Sequence, residues 1–373
     1  MEIEELLARG VDKIYPSKEA LVEVLSSGKK LKLYQGFDPT GPELHLGHLA
    51  GLLKLRDWQM QGHEVIFLIG DGTGQAGDPS GKTKSRDIFF NFANLRSNGE
   101  RIHKQLSSFN LFNKIKVKYN SQWLNKLKLP RILEIAGHFS LQQLVERDLF
   151  QERIKSGETL SLREALYPLF QAYDSLELDV DLELGGSDQT FNMLFGRTLL
   201  KLEKDKEKFV MTTPLIADAS GKKIGKTEGN SISLSNAHEL YAKIMSLPDE
   251  VLERCFECLT RVPMAQVKEI MNKHPREAKS CLALEVTSLL HGQQTALEEQ
   301  ENFENTFSKG GVPKDVEIVK VRRNIPLVQI LLEHGLVSSK TEFNRLNKEG
   351  AIKEIGDGVY RIGKHRFIKI ETE

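Results

Sequence analysis

Short apolar runs and longer stretches of helical periodicity alternate along most of this chain. The run 31–37 reads as a buried strand, and a stretch dense in turn residues, 38–45, follows it. Over 46–61, Leu49, Leu52 and Leu53 line one face of a helix that Gly62 stops. The run 63–70 reads as another strand. Strand, helix and strand within about 40 residues make a βαβ unit, and such a unit implies a parallel sheet.

The same patterning carries through the rest. Residues 1–30 read as amphipathic helices, and 88–180 as mostly helical with a strand over 114–120. Residues 182–194 again go from strand through glycine turn to helix, 209–216 is a strand, and 217–230 is a loop rich in glycine and lysine. The charge run 203–208 reads as a solvated surface segment. Residues 236–305 are all-helical in pattern, and 308–315 reads as a linker. Beyond it, Leu327, Ile330, Leu331 and His334 mark a short helix ended by Gly335. Ser339 with Glu342 forms a capping box that opens another, Gly350 ends it, and 358–370 reads as a β-hairpin. No internal repeat is visible.

Composition narrows the class. The chain has 373 residues, 39% of them hydrophobic and 28% charged, which is a globular balance with room for two or three domains. No apolar stretch approaches the ~20 residues of a membrane span. The acidic opening MEIEELLARG reads as a helix and not as a secretory signal. Three cysteines, Cys255, Cys258 and Cys281, are an odd number for a disulfide framework and fit a reducing, cytoplasmic setting. Basic and acidic residues balance at 52 each, yet 320–373 holds 11 basic against 7 acidic, leaving 41 against 45 elsewhere. That asymmetry fits either chance or a polyanionic partner at the C-terminal end.

The stretch GDGTGQAGDPSGKT (70–83) imitates two phosphate loops at once. Gly72, Gly74 and Gly77 satisfy G-x-G-x-x-G, and Gly81-Lys82-Thr83 ends like a P-loop. Spacing argues against both. Gly77 and Gly81 enclose three residues instead of a P-loop's four, and one is Pro79, which lacks the N–H that a phosphate cradle uses. A dinucleotide fingerprint opens a helix at its third glycine, whereas Gly77 meets Asp-Pro-Ser-Gly, a turn. What remains is a glycine-lined floor with Asp78 on a tight turn, a carboxylate suited to a substrate ammonium. Lys82, Lys84 and Arg86 follow at two-residue spacing, either to wrap polyphosphate or as solvated surface.

A second phosphate signal lies elsewhere. In HLGH, His45 and His48 share a face at the start of the helix after the first strand, where unpaired N–H groups and the macrodipole attract anions. Gly47 between them lets a flat base approach the backbone. Alone, such a pair is as readily structural or metal-related, but no third ligand of zinc spacing is near. Far along the chain, KKIGKT supplies Lys223 and Lys226 in a glycine-bracketed loop.

Together the two stretches resemble the paired signatures of class I aminoacyl-tRNA synthetases, His-Ile-Gly-His and Lys-Met-Ser-Lys-Ser, in their order and context. YQGFDPTGPELHLGHL, GDPSGK, YPLFQAYDS, LGGSDQ and KIGKT are similar as a set to the bacterial-type tyrosyl-tRNA synthetases, over nearly the whole chain. The resemblance implies an α/β fold. A Rossmann-like parallel-sheet catalytic domain with a helical insertion would span 1–222. The signature lysine loop and an α-helical anticodon-side domain would span 223–312, and a linker with a small α+β, S4-like RNA-binding domain 313–373. It also implies L-tyrosine, ATP with Mg2+ and tRNA(Tyr) as partners, no structural metal, no membrane, and a homodimer.

Carried over residue by residue, the resemblance assigns Tyr34 and Asp174 to the tyrosine phenol. It assigns Tyr167, Gln171 and Asp78 to the α-amino group. Thr40, His45 and His48 match the ATP-phosphate face, with Gly36, Asp38, Gly47 and Gly186 lining the nucleotide site. Asp188 and Gln189 match contacts to ribose and to the reacting carboxyl region. Lys82, Arg86, Lys223, Lys226 and Thr227 match loops that close on pyrophosphate. Lys340, Arg345, Lys348, Lys364 and Arg366 become candidates for tRNA phosphate contacts. The implied chemistry is attack of the tyrosine carboxylate on the ATP α-phosphate, then transfer of the tyrosyl group to the tRNA terminal ribose. That carboxylate is already a nucleophile, so positioning and charge stabilisation suffice.

Several positions depart from the common pattern. Gln35 and Gly51 stand beside the ATP site where relatives vary. Thr190 and Glu183 replace a tryptophan and a glutamine of one branch. The Cys255–Cys258 pair reads as a surface or half-buried helix face. A tryptophan-type class I synthetase and a non-catalytic RNA-binding paralogue are the alternatives, and the paralogue is expected to lack His45, His48 or Lys226.

Overall fold

The computed structural model describes residues 2–80, 90–112, 114–216, 231–307, 316, 318–321, 325–356, 358–363 and 366–372. Its core follows from the apolar runs. An uninterrupted run has no face to offer water, so it must be covered on both sides, and 65–69 is buried at every position. That run lies in a six-stranded sheet of β1 (Ile14–Tyr15), β2 (Lys32–Phe37), β3 (Glu64–Ile69), β4 (Lys116–Tyr119), β5 (Leu182–Gly186) and β6 (Phe209–Thr213). The order is β1-β6-β5-β2-β3-β4, with β2 to β6 parallel and β1 antiparallel at the edge. The chain winds outwards from β2 to β4, then returns to lay β5 and β6 on the other side of β2. Winding therefore reverses between β2 and β5, where sheets of this kind bind ligands beyond their carboxyl ends.

The helix after β2, Leu46–Met60, is buried almost all round and not along one stripe. The reason is the helix Leu252–Leu259, which packs on its outer side. Lys54 and Asp57 are thereby enclosed: Lys54 Nζ donates to the Leu6 carbonyl at 2.9 Å, and Asp57 accepts both ends of the Arg261 guanidinium at 2.7 and 2.8 Å. The same packing buries Cys255 and Cys258, correcting the expectation of a surface or half-buried face. The first thirty residues hold helices Ile3–Leu6 and Lys18–Ser26 with β1 between them, a strand too short to leave a pattern. Helices Tyr167–Leu178 and Thr190–Lys204 pack against each other over Leu169, Ala172, Leu176, Phe195 and Leu199.

Two compact units result, Met1–Gln293 and Gln294–Glu373. In the second, the expected hairpin is β9 (Val359–Ile362) with β10 (Arg366–Thr372). Two further strands complete a β7-β10-β9-β8 sheet, β7 (Ile318–Val321) and β8 (Ile352–Gly356). Its core gathers Val319, Ile330, Leu331, Leu346, Ile362 and Ile368. The cap at Ser339 differs from a reciprocal box. Ser339 Oγ accepts from Glu342 N, but the Glu342 carboxylate takes the N–H and hydroxyl of Ser338. No helix among the described residues is long and apolar enough to cross a membrane.

Candidate active site

Tyr34, Asp78, Tyr167, Gln171 and Asp174 lie in the unit Met1–Gln293, on or beside the elements that flank the reversal between β2 and β5. Tyr34 lies in β2, paired in register with Glu183 of β5, and is 1% exposed. Asp174, 2% exposed, comes from the helix Tyr167–Leu178. Its carboxylate accepts from Trp123 Nε1 at 2.7 Å on one oxygen and from Asn120 Nδ2 at 3.0 Å on the other. Burial pushes the Asp174 carboxyl well above its usual range, and the two donors oppose that shift. Burial likewise raises the Tyr34 hydroxyl, with the Glu183 and Asp174 charges adding to it. These are a hydroxyl and a carboxylate in a dry wall of Ile66, Leu68, Leu178 and Val180, a setting made for one polar group on an otherwise apolar ligand.

Asp78 sits at the far side of the glycine stretch. Its Oδ2 accepts from Gln189 Nε2 at 2.8 Å, and its Oδ1 from the Ser80 N–H at 2.9 Å. Tyr167 is buried, and its hydroxyl is pushed well above the ordinary range by burial and by the Asp38 and Asp78 charges. Gln171 gives its amide N–H to Glu183 at 2.9 Å, while its Oε1 is buried with no partner among the described residues. An acceptor held dry in that way, on the same helix as Tyr167 and Asp174, suits the ammonium of a ligand.

At the carboxyl end of β2, Gly36 is exposed, and Asp38 and Thr40 form the tight turn after it. His45 caps the helix Leu46–Met60, and its backbone N–H donates to His48 Nδ1 at 3.1 Å. In the neutral ring that bond places the His48 proton on Nε2. The two imidazoles stack at 3.7 Å between centroids, with Gly47 half-buried between them. Gly186 ends β5, and Asp188 and Gln189 lie in the turn beyond. The departures Gln35 and Gly51 fit each other: a Cβ at position 51 would meet the Gln35 amide at 2.2 Å.

Lys82, Arg86, Lys223, Lys226 and Thr227 lie outside the described residues, but the flanks of 217–230 do not. On one side, Thr213 of β6 pairs with Gly186. On the other, Ser233 bridges His45, Leu46 N donates to the Ile232 carbonyl at 2.8 Å, and Leu234 N donates to the Leu44 carbonyl at 3.1 Å. In the C-terminal unit, Lys340, Arg345 and Lys348 are exposed on the helix Lys340–Lys348, Arg345 pairing with Glu349. Arg366 is tied to Glu342 at 3.2 Å and to the Leu336 carbonyl, and Lys364 lies outside the described residues.

Residues that the motifs did not single out hold the site together. Asn120 uses all of its capacity. Its Oδ1 takes the Gly72 N–H at 2.7 Å and, more weakly, that of Thr73 at 3.4 Å. Its amide gives one bond to Thr73 Oγ1 at 2.9 Å and one to Asp174. Thr73 in turn donates to Asp38 at 2.7 Å. Arg147, 7% exposed, donates to Ser80 Oγ at 2.6 Å and to the Asp188 carbonyl at 3.3 Å, joining the Asp78 turn to the turn after β5. Lys208 corrects the reading of 203–208 as solvated surface, since its side chain is fully buried against Glu183. Among the described residues, no group of three His, Cys, Asp or Glu is placed to hold a metal ion.

Comparison with known proteins gives consistent results. Residues 26–308 match the family model described as tRNA synthetases class I (W and Y). A tyrosine–tRNA ligase of Haemophilus ducreyi is 37% identical over 394 residues, covering 100% of this chain and 99% of that protein. One of Desulfotalea psychrophila is 36% identical, covering 98% and 97%. Among solved structures, a C-terminally truncated mitochondrial tyrosyl-tRNA synthetase of Coccidioides posadasii superposes with a TM-score of 0.66 at 30% identity, covering 80% of this chain and 90% of that one.

Proposed function

The chain belongs to the tyrosine–tRNA ligase family of class I synthetases, and from that premise we propose that the site makes tyrosyl-adenylate from L-tyrosine and ATP. Pyrophosphate leaves in that step, and the tyrosyl group then passes to the 3′ end of tRNA(Tyr). The observation that carries the reading is the placement of the described chain on either side of 217–230, next to β5 and next to His45. The chain entering the lysine loop leaves a strand paired at Gly186, and the chain emerging from it is hydrogen-bonded beside His45.

Each described residue has a task that its surroundings support. Tyr34 and Asp174 read the phenol, and loss of the substrate hydroxyl would leave buried groups without a partner. Asp78, Gln171 and Tyr167 hold the ammonium, and Gln189 and Asp188 orient the carboxylate and ribose. The carboxylate attacks the α-phosphate without a protein base. Thr40, His45 and His48 donate to the phosphates, and Lys82, Arg86, Lys223, Lys226 and Thr227 stabilise charge as it collects on the leaving group. Mg2+ arrives as the counter-ion of the ATP substrate.

Further parts of the reading concern partners. The fold of 318–372 and its exposed Lys340, Arg345 and Lys348 support an S4-like RNA-binding domain within 313–373, following an anticodon-side helical domain within 223–312. Exposed Leu129, Leu133 and Leu141 on the helical insertion, 62–66% accessible, support a homodimer through that face. Free cysteines fit the cytoplasm. ATP–pyrophosphate exchange with each of the twenty amino acids tests the core claim. Exchange by far the fastest with tyrosine is expected, whereas faster exchange with tryptophan, or none at all, overturns it.

A further inference from the structure

A buried lysine is expensive, and Lys208 is fully enclosed at the end of a charge run that is otherwise solvated. Its ammonium contacts the Glu183 carboxylate and donates to Ser175 Oγ at 2.8 Å. Ser175 Oγ also lies 3.0 Å from the Tyr34 hydroxyl and 3.1 Å from Glu183. The space for this arrangement is made by Gly196, where a Cβ would stand 2.6 Å from Lys208 Nζ and 2.8 Å from Ser175 Oγ. A buried ion pair of this kind is weak evidence for stability, because a packed apolar pair would serve as well. Its position points to another use.

The hydroxyl protons can be counted. Ser175 has one. If it goes to Glu183 and Tyr34 turns its own proton inward to Ser175 or Glu183, a bound phenol then faces two acceptors, Tyr34 and Asp174, with one proton. If Ser175 donates to Tyr34, every group is satisfied in one direction. The chain runs from Lys208 through Ser175 and Tyr34 to the substrate oxygen, and the substrate proton ends on Asp174. Glu183 needs no proton from Ser175 in that arrangement, since it already accepts from Lys208 and from Gln171. The bond from Lys208 occupies one lone pair of Ser175 Oγ and polarises its O–H, which strengthens the next bond in line.

We propose that Lys208 is a positioning residue for tyrosine selection: acting through Ser175, it turns the Tyr34 hydroxyl proton toward the phenolic oxygen of the substrate. The inference rests on the tyrosine-activating reading above and deepens it. Lys208 touches no substrate, so its effect must vanish when the Tyr34 hydroxyl is absent.

The test compares wild type, Lys208→Met, Ser175→Ala, Tyr34→Phe and the Lys208→Met/Tyr34→Phe double variant. Each is assayed for kcat/KM in ATP–pyrophosphate exchange with tyrosine and with phenylalanine. Lys208→Met and Ser175→Ala should each lower the tyrosine-to-phenylalanine ratio about tenfold, mostly by weakening tyrosine. The double variant should match Tyr34→Phe alone. Equal losses on both substrates, or a double variant whose loss multiplies that of Tyr34→Phe, would reduce Lys208 to a structural residue and overturn the proposal. Ser175→Ala leaves the Lys208–Glu183 contact in place, so an unchanged ratio in that variant overturns the proposal even if Lys208→Met does not fold, and Lys208→Arg, which keeps a cation there, should then retain more of the ratio than Ser175→Ala does. Wild type without tyrosine exchange overturns the parent reading, whereas tyrosine exchange with an unchanged ratio in both single variants overturns only this inference.

Discussion

Lys54 offers a quantitative test of the packing behind the HLGH helix. Its side chain is 2% exposed, between Leu6 and Asp57, and burial lowers its pKa from 10.5 to about 8. Arg261 and Arg9 push the same way, and Asp57 opposes them. The unfolded chain therefore holds a proton that the folded chain has shed between about pH 8 and 10.5, so this lysine makes stability rise with pH across that window. A depression of this size handicaps the folded state by about 3 kcal/mol at pH 7 and about 1 kcal/mol at pH 9.5. Lys54→Met removes the handicap and leaves Asp57 paired with Arg261, but it orphans the Leu6 carbonyl at a cost of about 1 kcal/mol. The variant should thus be about 2 kcal/mol more stable than wild type at pH 7 and nearly equal to it at pH 9.5. Urea unfolding followed by tryptophan fluorescence reads this directly, since the two tryptophans, Trp58 and Trp123, both lie in the unit that holds Lys54. A stability difference that is flat between the two pH values would refute the titration argument. A variant clearly weaker than wild type at pH 7 would mean that the ammonium is a net stabiliser.

Other expectations follow from the site. Trp123→Phe keeps the ring but deletes the N–H to Asp174, so KM for tyrosine should rise about tenfold with KM for ATP unchanged; matching increases in both would count against a phenol-specific role. His48→Ala or His45→Ala should slow adenylate formation in stopped flow by about tenfold or more while tyrosine affinity holds. Unchanged rates would remove those rings from the site. Leu129→Asp with Leu133→Asp should turn a dimer into a monomer by light scattering, and a dimer that persists would relocate the interface. Lys340→Ala with Lys348→Ala should weaken tRNA binding and flatten its salt dependence by about two phosphate contacts; identical salt slopes would exclude both lysines.

What the sequence made legible was whatever chemistry leaves in local order. The βαβ start, the turn at Asp78 and the strands before Asp38 and Asp188 follow from runs, turns and spacing, and the structure brings them to one edge of the sheet. Residues whose role depends on contacts distant in sequence were not legible. Asn120 and Trp123 follow β4 in a stretch with no motif, and only the fold lays them under Asp174. Lys208 looked solvated because five charged neighbours precede it, yet the end of that run enters β6 and is drawn inside. Lys54 and Asp57 fall on a helix face that lacks a partner until 252–259 packs there. The strands β7 and β8 are short and mostly exposed, so neither alternation nor an apolar run announced them.

The saturated amide of Asn120 has a consequence for anyone wishing to reshape the pocket. Replacing Asp174, the residue proposed to read the phenol, would strand one Asn120 N–H and the Trp123 indole N–H in a dry wall. The obvious local repair, changing Asn120, would in turn loosen the turn at Gly72 and Thr73 on which Asp38 leans. Useful libraries should therefore vary positions 120, 123 and 174 jointly, with Thr73 held fixed, because variants drawn one position at a time will be dominated by folding defects and not by altered choice of amino acid.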